Sequence, residues 1–233
     1  IRLSLVGSEM CIRDRINIIT QYRRKKYEKR LNKVLQINGI EILGKFHQAM
    51  NSINCEYWLA FGTLLGAIRD KKLISFDTDI DVGVLSNNDF DQIDTALRKF
   101  GFEKVRRIEI FTKGNCSERG FELTYTQNGV LIDIFVFDQI SGTNHIYTHT
   151  CLWNNTHFRY LSTVLRVTVP FEGTTMYTFQ NILVCIPKNY KEYLQSYYGV
   201  NYETPDPHWE PTMSNSVEVV LDAIGILDEY KGV

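Results

Sequence analysis

Residues Tyr57–Val84 read YWLAFGTLLGAIRDKKLISFDTDIDVGV. An apolar strand is expected over Glu56 to Phe61, then a turn at Gly62 and a short helix over Thr63 to Arg69. A loop from Asp70 to Phe76 leads into a second strand, Thr78 to Val84. Asp77, Asp79 and Asp81 fall at every other position, and alternation along a strand sends all of them to one face. Like charges that close repel, and nothing in folding rewards the clustering. A divalent cation does, because hard oxygen ligands are what Mg²⁺ or Mn²⁺ recruits. The stretch therefore points to metal-assisted chemistry on a phosphate.

Outward from this stretch, the N-terminal side carries a basic run, Arg23, Arg24, Lys25, Lys26, Lys29 and Arg30. Apolar residues from Leu31 to Phe46 follow at approximately helical spacing. Helix is expected over 17–38 and again over 40–53, broken at Gly39, with the basic run on a solvated face. On the C-terminal side, Ser86 is expected to cap a helix with Asp89 as its capping-box acid, Phe90, Ile93 and Leu97 behind it and Gly101 as its stop. Strands are then expected over 105–112, 121–126 and 130–137, the last two joined by a hairpin at Asn128-Gly129. Short strands are expected across 145–185, and an amphipathic helix from Pro187 to Gly199. The segment TPDPHWEP, 204–211, reads as an ordered loop or lid, and 216–230 as a weakly amphipathic final helix.

The FDTDIDV segment admits more than one chemistry. A calcium loop of EF-hand type requires Gly where Val82 stands and Glu where Asn88 stands, so that reading fails. A D-x-D glycosyltransferase normally has a substantial nucleotide-binding βαβ unit ahead of the motif, and here only two helices and one strand precede it. The nucleotidyltransferase arrangement fits better: a Gly-Thr turn after the first strand, alternating aspartates on the next, and a further carboxylate from a later strand. Asp133, inside VLIDIFVF, suits that last role, because an acid among such neighbours is expensive to bury without a cation or hydrogen-bonding partners. The competing reading places Asp133 on the solvated face of an edge strand.

The wording of the segment goes further than a fold-level pattern. AFGTLLGAIRDKKLISFDTDIDVGV resembles the LicD and fukutin family, whose members read much like GTLLGAVR followed by IPWDDDIDV. LIDIFVFD and IPKNYKEYLQSYYG resemble that family's later acidic strand and its Pro-to-Tyr-Gly segment, so the resemblance spans Tyr57 to Trp209. Ser75 stands where members usually have Pro, and Thr78 where bacterial members often have Asp; neither change removes an alternating carboxylate. The resemblance implies one α+β domain over 54–233, a nucleotidyltransferase-like mixed sheet flanked by helices, preceded by N-terminal helices over 16–53. It implies transfer of a phosphorylated alcohol (ribitol phosphate, phosphocholine or similar) from a CDP-activated donor to a glycan. Asp79, Asp81 and Asp133 would hold Mg²⁺ or Mn²⁺ and carry catalysis, with Asp133 either completing the metal shell or accepting the acceptor's proton. Gly62 would let phosphate approach the backbone, and Thr63 would offer it a hydroxyl and an N–H. Arg69 would pair with phosphate or with Asp70, and Asp77 would bind metal or orient its surroundings. A nucleoside-monophosphate transferase of the same fold, or an inactive relative acting as a scaffold, would use the same residues.

Composition sets the outer limits. The 233 residues are 44% hydrophobic and 23% charged, as in an ordinary globular domain. A net charge of −1 argues against a nucleic-acid partner, which calls for a basic excess. No apolar run approaches a membrane span, and no anchor is visible. The opening segment IRLSLVGSEMCIRDR resembles translated sequencing-adapter sequence, so 1–15 is expected to be non-native and the natural targeting end to lie outside this chain. The sequons Asn115-Cys116-Ser117 and Asn154-Asn155-Thr156, with the family resemblance, favour a Golgi lumen for a eukaryotic source. Cys55, Cys116, Cys151 and Cys185 are irregularly spaced and read as small buried hydrophobes. His145, His149, Cys151 and His157 match no familiar zinc spacing.

Overall fold

The computed structural model describes residues 3–112, 115–157 and 159–230, with side chains described over 22–111, 121–152 and 159–230. Both sequons, Cys116, His157 and the opening segment lie outside the described side chains. The chain begins with one long helix, α1 (Leu3–Ser52), where two helices were expected. Gly39 does not break it. A Cβ there would lie 2.6 Å from Leu73 Cδ1, so the glycine permits close packing of the loop after α2. Leu35, Ile42, Leu43, Phe46, Ala49 and Met50 bury the inner stripe of α1.

Strand β1 (Tyr57–Leu59) leads into α2 (Phe61–Leu65), which widens into a π-helical turn over Gly66–Asp70. Strand β2 (Asp79–Leu85) and helix α3 (Phe90–Lys99) follow. Asp89, rather than Ser86, caps α3: its side chain accepts hydrogen bonds from the Asp91 and Gln92 N–H groups. Ser86 instead hydrogen-bonds Asp138. The strands β3 (Glu103–Thr112), β4 (Asn115–Gln127) and β5 (Val130–Gln139) come next. Asn128 and Gly129 both take positive φ (52° and 78°), as the tight turn between β4 and β5 requires.

The region expected as short strands holds two long ones, β6 (His145–His157) and β7 (Tyr160–Pro170), then the hairpin β8 (Thr174–Phe179) and β9 (Ile182–Pro187). Helix α4 (Tyr190–Tyr198) ends at Gly199, with φ 91°. The expected C-terminal helix is absent. Its residues form β10 (Val217–Val220) and β11 (Ala223–Glu229). Val217, Val219, Val220, Ile224 and Ile226 favour extended backbone, and Gly225 weakens a helix at its middle.

These strands make one large mixed sheet in the order β1-β2-β5-β4-β3-β11-β7-β10, with β6 bridging β5 and β7. Among the described residues, only β2 and β5 pair in parallel in this sheet; the other pairings are antiparallel. Because β6 rejoins β5 through Asp138 and Gln139, the strands β5, β4, β3, β11, β7 and β6 close into a ring. Ile108, Ile110, Cys151, Leu161, Val164 and Leu227 fill a core of their own there. The larger core lies where α1 and α3 pack on the sheet, through Ile80, Val82, Val84, Ile132, Ile134 and their neighbours. The domain is thus α+β, a mixed sheet with helices against it.

Candidate active site

Register decides what the acidic residues share. On the parallel pair, Asp81 stands beside Asp133 and Asp79 beside Leu131. On the antiparallel partner, Asp133 faces Thr124, and Thr124 in turn faces Arg106 across β3. Partners in register project to the same side, so Asp79, Asp81, Asp133, Thr124, Glu122 and Arg106 form one polar stripe running from β2 into the ring. The opposite side of the same strands is the apolar core. Alternation therefore produces both the core and the site from one sequence pattern.

Helices α2 and α4 lie over this polar side. Phe61, held at φ 39°, packs edge-on to Phe135 at 4.8 Å and against Tyr197 at 4.9 Å. Thr63 is fully buried, and its hydroxyl accepts the Asp81 backbone N–H at 2.8 Å. That hydroxyl ties α2 to β2 rather than facing the cavity. Gly62 lies where carboxylates converge: a Cβ there would sit 3.0 Å from Asp77 Oδ2 and 3.3 Å from Asp81 Oδ2.

The loop bearing Asp77 is held from α1. Asn32 donates to the Ser75 and Asp77 carbonyls at 2.8 and 2.7 Å, and Gln36 to the Ile74 carbonyl at 2.9 Å. Beside the loop opens a cavity of about 560 Å³, lined by Gly62, Arg69, Asp77 and an aromatic wall of Phe76, Tyr198, Tyr202 and Trp209. Phe76 is 75% exposed at the rim of this cavity. Arg69 faces this cavity while gripping Asp70 through Nε–Oδ1 (2.8 Å) and a second bond to Oδ2 (2.9 Å). The pairing with Asp70, one of the two expectations for Arg69, is therefore formed. Trp209 packs on Tyr198, with ring centroids 4.5 Å apart, so the 204–211 loop forms a wall of the cavity.

The carboxylates repel one another in this enclosure. Burial raises Asp77 to about 6, with Arg69 pulling the other way. Burial and the neighbouring Asp133 and Asp77 raise Asp79 to about 7. Asp81 goes well above the ordinary carboxylate range, first by burial and then by Asp79, Asp77 and Asp133. Each of the three keeps some contact with solvent although protein surrounds it densely. Burial and Asp133 raise Glu122, inside the ring, to about 8.

Asp133 is differently placed. Its oxygens accept from the Arg106 guanidinium at 3.2 and 3.0 Å and from the Thr124 hydroxyl at 2.5 Å. Arg106 also donates through Nε to Thr124 at 2.7 Å. Burial opposes the charge on Arg106, but Asp133, Glu122 and Asp79 more than offset it. Among the described residues, no group of three or more His, Cys, Asp or Glu side chains is gathered to hold a metal ion as it stands, whether these carboxylates or His145, His149 and Cys151. The donor chemistry nevertheless fits a hard divalent cation. Asp77 and Asp81 converge over Gly62, Asp79 shares their face, and their mutual repulsion calls for a positive charge.

Sequence alternation brought out Asp77, Asp79 and Asp81, and an apolar run brought out Asp133, but neither signal marked Arg106, Thr124, Glu122, Asn32 or Gln36. A charged residue on a strand reads as solvated unless the register of its partners is known. The only sequence signal for Glu122 is its place between Phe121 and Leu123.

Residues 54–189 match a family model described as LicD/FKTN/FKRP, nucleotidyltransferase domain. An uncharacterised protein of Rickettsia typhi is 29% identical over 115 residues, 48% of this chain and 32% of that protein. Ribitol-5-phosphate transferase FKTN of Homo sapiens is 24% identical over 172 residues, 73% of this chain and 34% of that protein. The chain thus spans about a third of the length of these relatives. A crystal structure of ANT(2")-Ia in complex with adenylyl-2"-tobramycin superposes with a TM-score of 0.40 at 12% identity, covering 76% of this chain and 83% of that one. With its GTLLG turn, alternating aspartates and later acidic strand all inside the matched segment, the chain belongs to the LicD/FKTN/FKRP family.

Proposed function

We propose that this chain is a metal-dependent phosphotransferase that moves a phosphorylated alcohol from a CDP-activated donor to a glycan acceptor. The observation that carries the reading is the carboxylate face of β2 and β5 meeting an aromatic cavity at Gly62 and Asp77. Membership of a family with ribitol-5-phosphate transferases among the relatives supports the same chemistry.

Asp79 and Asp81 would hold Mg²⁺ or Mn²⁺, with Asp77 beside them and Asp133 available once released from Arg106. When bound, the cation would neutralise the donor's diphosphate and stabilise the leaving oxygen. The aromatic wall of Tyr198, Tyr202 and Trp209 suits a flat ring such as the donor base, and Arg69 suits its phosphates. The missing Cβ at Gly62 leaves room where the carboxylates converge. In the reaction the acceptor hydroxyl oxygen forms a bond to the distal phosphorus as the bond to the bridging oxygen breaks, releasing CMP. Asp133, held by Arg106 and Thr124, would complete the negative charge around the cation. Asp77, which lines the cavity, is the carboxylate best placed to receive the hydroxyl proton.

Product identity tests this reading against nucleoside-monophosphate transfer. Incubating the full chain and Mg²⁺ separately with CDP-ribitol, CDP-choline, CDP-glycerol and CTP, then resolving products by phosphorus NMR, should give CMP from one CDP-alcohol. Pyrophosphate from CTP without CMP from any CDP-alcohol would support the nucleotidyl reading instead.

A further inference from the structure

The polar stripe contains a cation that the chemistry above leaves without a task. Arg106 reaches the acidic face from β3, at the site of a β-bulge that shifts register between Lys104 and Arg106. Its guanidinium spans both oxygens of Asp133, and Thr124 braces the contact by accepting from Arg106 and donating to Asp133. The side chains are 24% and 7% exposed, so the pair lies inside the protein. A surface ion pair would be a minor matter; an enclosed one that occupies a carboxylate of the candidate metal face is not.

We infer that Arg106 is a positioning residue that withholds Asp133 from the metal centre and so sets how tightly the centre binds a divalent cation. The inference rests on the metal-dependent reading above. A geometric fact and an electrostatic one support it. Asp133 stands in register beside Asp81, close enough to join its face, yet its oxygens are turned to Arg106. The guanidinium also attracts the charges of Asp79 and Glu122, so a divalent cation arriving at Asp79 and Asp81 meets a positive charge already in the stripe. Binding must either work against that charge or release Asp133 from it. Removing the charge while keeping the fold therefore strengthens metal binding. A purely structural brace predicts a different result: loss of stability with no gain in affinity.

The test is Mn²⁺ titration of the full chain, followed by the electron paramagnetic resonance of free Mn²⁺, with thermal melting in EDTA alongside. Arg106→Gln, which removes the charge but keeps a hydrogen-bond donor, should lower the Mn²⁺ dissociation constant about tenfold. Arg106→Met should act in the same direction, and Arg106→Lys should stay within about threefold of wild type because the charge remains. In an Asp133→Asn background the Arg106→Gln gain should shrink by more than half, as expected if the effect runs through Asp133. Unchanged or weaker Mn²⁺ binding in a folded Arg106→Gln overturns the inference while leaving the metal reading standing. No Mn²⁺ binding by the wild-type chain overturns both.

Discussion

At Gly62 a methyl group would press on the Asp77 and Asp81 oxygens at 3.0 and 3.3 Å. Gly62→Ala should leave the melting temperature nearly unchanged and reduce activity by at least about tenfold, because displaced carboxylates meet the reacting centre poorly. Titration gives a second prediction. Asp77, Asp79 and Glu122 are raised to about 6, 7 and 8, so between pH ~4 and those values the folded chain binds more protons than the unfolded one. Stability in EDTA is then greatest on the acid side and is lost as pH rises through about 6 to 8. Melting in EDTA at pH ~5.5 and ~8.5 should show the lower temperature at the higher pH; the reverse order would mean these carboxylates are not raised. At this scale the acidic residues were legible because alternation is local. Arg106 was not, since its partner Asp133 lies on another strand and is reached through Thr124 on a third.

The elements show how much a strand-and-helix pattern can specify. Asn128-Gly129, Gly101 and Gly199 ended or turned elements where expected, because positive φ is a property of a few residues. The cap of α3 fell at Asp89, three residues beyond the expected Ser86, since both residue types can cap and only the helix itself decides between them. Asp89→Ala should cost about 1 kcal/mol in denaturant unfolding, whereas Ser86→Ala should change helix stability little. The last segment was misread because Val and Ile spaced through a polar stretch suit either a weak helix or an exposed pair of strands; pairing with β7 and β3 settled it. Helix α1 acts on the site through Asn32, which holds the Asp77 loop by two carbonyls. Asn32→Leu should therefore raise the KM for the donor several-fold while moving the melting temperature by only a few degrees. A large fall in melting temperature with unchanged KM would assign Asn32 to stability alone.

For the molecule as a whole, the sheet's closure into a ring could not be read from the sequence. It depends on β11 inserting between β3 and β7 and on β6 returning to β5, contacts between segments far apart in the chain. What was legible was the unit that positions the chemistry: β1, the Gly-Thr turn, β2 and, across the parallel pairing, β5. Close packing also fixes that unit further along the carboxylate side of β2, for a Cβ on Gly83 would fall 2.3 Å from the Trp58 ring. The same unit carries the central claim, that a carboxylate face beside an aromatic cavity transfers a phosphorylated alcohol. The most direct measurement is CMP release from the CDP-alcohol panel by the full chain in Mg²⁺ and in EDTA, with Asp81→Asn beside it. CMP release that needs the metal and falls at least about a thousandfold in Asp81→Asn is the predicted result. Release that persists in EDTA or in the folded Asp81→Asn chain would contradict it, as would an intact chain that binds Mn²⁺ and releases CMP from no donor.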